Sequence, residues 1–317
     1  EMWLFLGFFI AFAVKVPLFP FHTWLPDAHT EAPTAGSVLL AGVLLKMGPY
    51  GMLRFDLGLF PNAARAAAGW IVVLGLIGII YGALVAFVQP NMKKLVAYSS
   101  VSHMGFIMVG VFTFSLIGTQ GAVYQMLNHG VSTGGLFILV GMLYERRHTF
   151  DLSEYGGIAK VMPIYAGFFI WIVMSSVGLP LLNGFVGEFM IMLGTFTAAV
   201  AHAHVYGMVA AVGVIVGAMY LLHWTRHTIW GELANAKNKV LQDLDRREIF
   251  VLTTIALLTL FMGVASPYFL NKTSATTAQV VQPFQPNQAV ASMGAGPSAA
   301  PPRVPLKLAT ERQGGGQ

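Results

Sequence analysis

Lys15, Lys46, His103, His129 and Glu188 interrupt or sit within long uncharged runs of an otherwise apolar chain. Lys46 is the plainest case. It lies inside Gly36-Ser-Val-Leu-Leu-Ala-Gly-Val-Leu-Leu-Lys46-Met-Gly-Pro-Tyr-Gly-Met-Leu53, long enough to cross a bilayer. A charged side chain at the centre of such a helix costs roughly 2.5–3.5 kcal/mol. The residues on both sides are uncharged and mostly apolar, which argues against an amine that snorkels to an interface. A desolvated amine can trade protons where a solvated one simply stays charged. Lys15 lies beside a second irregular stretch, Lys15-Val-Pro17-Leu-Phe-Pro20. Glu188 heads an apolar run just after Gly178-Leu-Pro180-Leu-Leu-Asn183-Gly184, where the donors of a new helix N-terminus can stabilise a carboxylate. The alternative there is a plain helix cap. His103 and His129 have polar neighbours inside their spans. Imidazole titrates near neutrality and both donates and accepts, which suits a relay more than packing alone requires. Ionisable groups spaced over successive spans point to proton or ion movement.

Other candidates read more plainly. His22, Asp27, His29 and Glu31 fall between the first two spans, as a solvated loop with helix caps that could also feed protons inward. His202 and His204 have metal-ligand types but no supporting carboxylate or cysteine. His223 and His227 read as interfacial residues near a span end.

The elements that must hold these groups are membrane helices. The chain of 317 residues is 56% hydrophobic and 10% charged, where soluble domains carry about 25% charge; its mean hydropathy is +0.69. Uncharged stretches cover 66–92, 161–187, 189–225 and 249–271, and 95–144 holds only two histidines. The pattern predicts eight spans at 2–19, 34–54, 66–88, 95–113, 119–144, 161–198, 204–229 and 247–269. The sixth is too long for one straight helix and should break at its Gly-Leu-Pro segment. The first should break at Pro17–Pro20. Two breaks five spans apart cross in opposite directions, as inverted repeats require. Lys93, Lys94, Arg146, Arg147, Lys160, Arg226, Lys237, Lys239, Arg246 and Arg247 fall in loops on one side, against Arg54 and Arg65 on the other. This ten-to-two asymmetry places the first set in the cytoplasm and the tail outside. Gly78/Gly82, Gly130/Gly134 and Gly213/Gly217 have the spacing that allows close helix approach.

Exclusions follow as directly. Without cysteine there are no disulfides, thiolate-bound Fe–S clusters or Cys-based zinc sites. Neither a Rossmann nor a Walker glycine loop is present, and no basic stripe with stacking aromatics suggests nucleic acid. Starting at Glu1 and entering an apolar run at once, the chain reads as a fragment lacking N-terminal spans.

The strings are also recognisable. Lys15-Val-Pro-Leu-Phe-Pro-Phe-His-Thr-Trp-Leu-Pro-Asp-Ala-His29-Thr-Glu-Ala-Pro through Lys46, Lys94-Leu-Val-Ala-Tyr-Ser-Ser-Val-Ser-His103-Met-Gly and Asn183-Gly-Phe-Val-Gly-Glu188-Phe resemble the antiporter-like membrane subunits of NADH:quinone oxidoreductase, respiratory complex I. The likeness covers residues 1–270. Glu188, where sister branches tend to carry lysine, looks most like the subunit M (chain 4) branch. The resemblance implies fourteen spans in two inverted five-helix repeats, each holding half of a proton path, with six spans missing here. Lys15 would then lack its expected partner, a glutamate of the fifth span.

The expected fold is an all-α polytopic bundle with broken helices and inverted repeats, the first truncated and the second complete. Its divisions are a first-repeat remnant at 1–63, the second repeat at 64–232, a loop and last span at 233–271, and a disordered tail at 272–317 rich in Ala, Gly, Pro and Gln. The expected function is a non-redox, proton-translocating subunit in the inner (cytoplasmic) membrane, its tail on the periplasmic side. Protons would pass from Lys46 to His103, His129 and Glu188. FMN, Fe–S clusters and quinone would belong to partner subunits, among them L-like and N-like antiporter subunits and a peripheral redox arm. The alternatives are a subunit of a multi-subunit cation/proton antiporter or membrane-bound hydrogenase, and a scaffold whose ionisable groups are relics.

Overall fold

The computed structural model describes residues 1–285, and every described element is helical. Eleven helices follow in order: α1 Met2–Lys15, α2 Trp24–Glu31, α3 Thr34–Leu59, α4 Pro61–Phe87, α5 Met92–Phe112, α6 Leu116–Arg147, α7 Pro163–Val177, α8 Asn183–Phe196, α9 Ala203–Thr228, α10 Arg246–Val264 and α11 Ser266–Val281. Six of them (α3, α4, α5, α6, α9 and α10) are long and apolar enough to cross a bilayer among the described residues. Helices α7 and α8 are shorter halves of one broken element. This is an all-α, multi-pass membrane fold.

Local chemistry sets the boundaries. Asn91 accepts from the Lys93 and Lys94 amides at 2.9 and 3.1 Å to start α5, and Ser115 accepts from the Gly118 amide to start α6. Asp245 and Glu248 form a reciprocal capping box on α10. The Asp243 carboxylate takes the Ile164 and Tyr165 amides at the start of α7. Helix α7 stops at Gly178, whose φ of +83° suits a residue without a Cβ. The chain re-enters a helix at Asn183, so the expected break at Gly178–Gly184 is present.

Helix α5 is the most enclosed, with 94% of its apolar window buried, and it packs between α4 and α6. Helix α3 lies along α6. Their contact is set at Gly130, where a Cβ would stand only 2.9 Å from the Gly42 carbonyl. Gly134, its motif partner, has room, with Val38 at 3.8 Å.

Three expectations change. The second span is not a plain helix: it tightens into a 3₁₀ turn at Leu44–Lys46 and widens into a π turn at Met52–Asp56. Residues between the first two spans are only in part a solvated loop: Asp27 and Glu31 are exposed, the two histidines are not. They fold into α2, with His22 and His29 both buried; aromatic contacts supply the reason, His29 stacking on Phe137 at 4.3 Å and His22 packing on Phe19 and Tyr81. Disorder from 272 is also overturned for the first ten positions, which continue α11 and are followed by a 3₁₀ turn at Gln282–Phe284. This segment is held because Gln120 donates to the Leu270 carbonyl, Arg65 to the Pro283 carbonyl, and Phe284 stacks on Phe114 at 4.0 Å. The expected disorder of 286–317 lies outside the described residues.

Candidate functional site

The 3₁₀ turn delivers Lys46 to α6. Its ammonium donates to the Ala41 carbonyl, one turn back on its own span, and to His129 Nδ1 at 2.6 Å. Accepting at Nδ1, a neutral His129 carries its proton on Nε2, and this nitrogen is buried without a partner among the described residues. Across from it, the His103 ring lies 5.5 Å away at an interplanar angle of 63°. His103 Nδ1 meets Glu188 Oε1 at 2.7 Å, and its Nε2 lies 3.4 Å from the Tyr220 hydroxyl. Four ionisable side chains from α3, α6, α5 and α8 thus form one series.

The order is Lys46, His129, His103, Glu188, so the expected sequence with His103 second is corrected. Helix α6 packs on α3 along Thr34–Gly42, and the Lys46 ammonium reaches back toward Ala41, which brings it to His129 first. Between the two imidazoles is a cavity of about 10 Å³, lined by His103, His129, Asn128, Ser132 and Ser176 among others. That is about the volume one water needs. The unpartnered His129 Nε2, Asn128 Oδ1 and Ser176 Oγ supply polar atoms around it. The rest of the site is polar and connected. Gln125 donates to Glu188 Oε1 at 3.0 Å, and Ser132, Ser175 and Asn183 hydrogen-bond one another across the α7–α8 break. Much larger cavities lie elsewhere, one of 670 Å³ where Arg65, Phe114 and Phe284 meet.

Lys15 stands apart. It ends α1 on an exposed face and makes no side-chain hydrogen bond or ion pair with the other four among the described residues. Asp27 pairs with Lys94 at 3.0 Å, and Glu31 is exposed. His204 packs on Phe196, His223 and His227 lie with ring centroids 4.3 Å apart, and no group of metal-ligating residues forms among the described residues. Sequence reasoning missed Gln125, Asn128 and Tyr220. A signal was available for the first two: Gln125, Asn128, His129 and Ser132 follow i, i+3, i+4, i+7 spacing, a polar stripe on one helix face.

Known proteins share this architecture. The family model described as NADH:quinone oxidoreductase/Mrp antiporter, TM, matches residues 1–213. NADH-quinone oxidoreductase subunit M of Rickettsia prowazekii (strain Madrid E) is 48% identical over 263 residues, 83% of this chain and 53% of that protein. The subunit M of Rhodobacter capsulatus is 45% identical over 281 residues, 89% of this chain and 54% of its own length. The chain spans about half the length of the curated relatives it matches. Among solved structures, a chain of respiratory complex I from Thermus thermophilus with bound NADH superposes with a TM-score of 0.80 at 36% identity, over 88% of this chain and 59% of that one. A chain of the Mrp complex from Dietzia sp. DQ12-45-1b gives 0.78 at 21% identity over 89% and 60%, a likeness of fold. The chain belongs to the NADH:quinone oxidoreductase/Mrp antiporter transmembrane family.

Proposed function

We propose that this chain is the proton-relaying part of a subunit M (chain 4) type membrane subunit of NADH:quinone oxidoreductase. The observation that carries the reading is the buried series Lys46–His129–His103–Glu188, each end of which is a short contact between ionisable groups. Lys46 gives a proton to His129 Nδ1, and His129 releases the one on Nε2 into the small cavity. A proton taken up by His103 passes from Nδ1 to Glu188 Oε1. Each imidazole takes a proton on one nitrogen and gives one from the other. The charge of any one of them biases its neighbours.

In this reading the subunit is a non-redox part of a translocase in the inner (cytoplasmic) membrane, with the tail on the periplasmic side. NADH oxidation, FMN, Fe–S clusters and quinone reduction belong to partner chains, the peripheral redox arm among them, and L-like and N-like antiporter subunits are its membrane neighbours. Lys15, at the end of α1, serves the preceding half-path. The identities of 45–48% to subunit M proteins support complex I over an antiporter or hydrogenase module.

The test uses the full-length protein in its complex. Lys46→Ala and Glu188→Gln should suppress proton pumping and coupled quinone reduction, while NADH oxidation by an artificial acceptor survives. Glu188→Asp, which keeps a titratable oxygen, should retain more activity than Glu188→Gln. Assembly is checked by subunit stoichiometry, because breaking a buried pair can cost about 3–5 kcal/mol of stability. Normal pumping by assembled Lys46→Ala and Glu188→Gln complexes would favour the scaffold.

A further inference from the structure

One amide beside Glu188 has no part in the relay. Gln125, 2% exposed, donates from Nε2 to Glu188 Oε1 at 3.0 Å, the same oxygen that meets His103 Nδ1 at 2.7 Å. Its own Oε1 accepts from Asn128 Nδ2 at 3.2 Å. The amide therefore has one orientation, donor to the carboxylate and acceptor to Asn128. The Asn128 backbone carbonyl accepts from Asn183 Nδ2 at 3.2 Å, and Asn183 Oδ1 accepts from Ser175 Oγ at 2.5 Å. Asn183 opens α8 and Ser175 lies in the last turn of α7. Two ties thus join α8 to α6 beside the break, Gln125 to Glu188 and Asn183 to the Asn128 backbone, and Ser175 continues the second onto α7. Space for it comes from Gly187, where a Cβ would stand 2.9 Å from Asn128 Nδ2. The other carboxylate oxygen, Oε2, faces the break itself, 3.4 Å from where a Cβ on Gly178 would be.

Building on the relay proposed above, we propose that Gln125 is a positioning residue that ties the protonation state of Glu188 to the break between α7 and α8. When His103 gives its proton to Glu188, the Nδ1–H bond breaks and an Oε1–H bond forms; imidazolium and carboxylate both become neutral. Ionised Oε1 accepts from His103 and Gln125 together. Once protonated, it turns its hydroxyl back toward His103 Nδ1 and is a weaker acceptor for Gln125. Hydrogen bonds to an ionised group are about twice as strong as neutral ones. Arrival of the proton therefore loosens the Gln125 tie, one of the two that join α8 to α6 beside the break. Departure of the proton restores the lock.

The test is Gln125→Met in the full-length protein within its assembled complex, read by infrared difference spectra during turnover. The Glu188 carboxyl band is identified by its disappearance in Glu188→Gln. Gln125→Met is expected to move that band and to lower coupled quinone reduction roughly two- to tenfold, the factor one hydrogen bond represents. Asn128→Ala, which frees the Gln125 amide to turn, should move the same band and carries the test if Gln125→Met does not assemble. Leu127→Ala, at a position 47% exposed on another face of α6, should leave it in place. An unmoved band in Gln125→Met and Asn128→Ala, with pumping still abolished by Glu188→Gln, overturns this inference and leaves the relay standing. Normal pumping in Glu188→Gln overturns the relay itself.

Discussion

Gly130→Ala separates packing from transport. A methyl at Gly130 would stand 2.9 Å from the Gly42 carbonyl, where ordinary contact begins at 3.4 Å. Both partners are helix backbone, so α3 and α6 must part by about 0.5 Å, the difference between those two distances. Lys46 rides on α3 and His129 on α6, so their 2.6 Å contact lengthens to about 3.1 Å. A displacement of about 1 Å at a reacting contact can cost about a hundredfold in rate, so half of that predicts roughly tenfold slower pumping. Stability should change little. Replacing a mid-helix glycine by alanine gains about 1 kcal/mol, which offsets part of an overpacking cost of about 1–3 kcal/mol. Gly134→Ala is the control, since its nearest neighbour, a Val38 methyl, lies at 3.8 Å; it should pump normally. The assay is proton uptake by vesicles containing the full-length complex, beside the artificial-acceptor rate of the same sample. Equal pumping by assembled Gly130→Ala and Gly134→Ala complexes would refute the argument that this crossing sets the Lys46–His129 distance.

Two further outcomes are expected. Leu181 holds a φ of +79° at the helix break with its side chain 69% exposed; Leu181→Gly should relieve roughly 1 kcal/mol of backbone strain, seen as greater resistance to denaturant, and a clear loss of stability would contradict this. Lys239→Cys and Ala275→Cys, both at exposed positions of a chain without native cysteine, should react with an impermeant thiol reagent from opposite faces of the membrane. Labelling of both from one face would sink the proposed topology.

The break at Gly178 and the long spans were legible because proline, positive-φ glycine and apolar length act locally. The ionisable groups stood out for the same reason: a charge within a run such as 36–53 has no cheap local explanation. Their order was not legible. His103 precedes His129 in the chain, but Lys46 meets His129 because Gly42 and Gly130 bring α3 onto α6, a relation between distant segments. Burial of His29 likewise depends on Phe137, more than a hundred residues away in sequence. The Lys46 turn carries no proline within its 3₁₀ stretch, so nothing local announced that tightening. Helix α11 escaped notice because its buried positions, Thr277 and Val281, are sparse in a segment rich in Ala and Thr, and Phe284, just beyond it, packs on Arg65 and Phe114 from distant segments.

The central claim is that Lys46, His129, His103 and Glu188 form one path in series. It is tested most directly by proton pumping rates for His129→Gln, Glu188→Asp and the double variant in the full-length complex. Steps in series limit one another, so the double variant should pump at about the rate of the slower single one, since residues acting as a unit are strongly non-additive. A double variant whose rate is the product of the two single losses would contradict a single path, as would His129→Gln complexes that assemble and pump at the native rate.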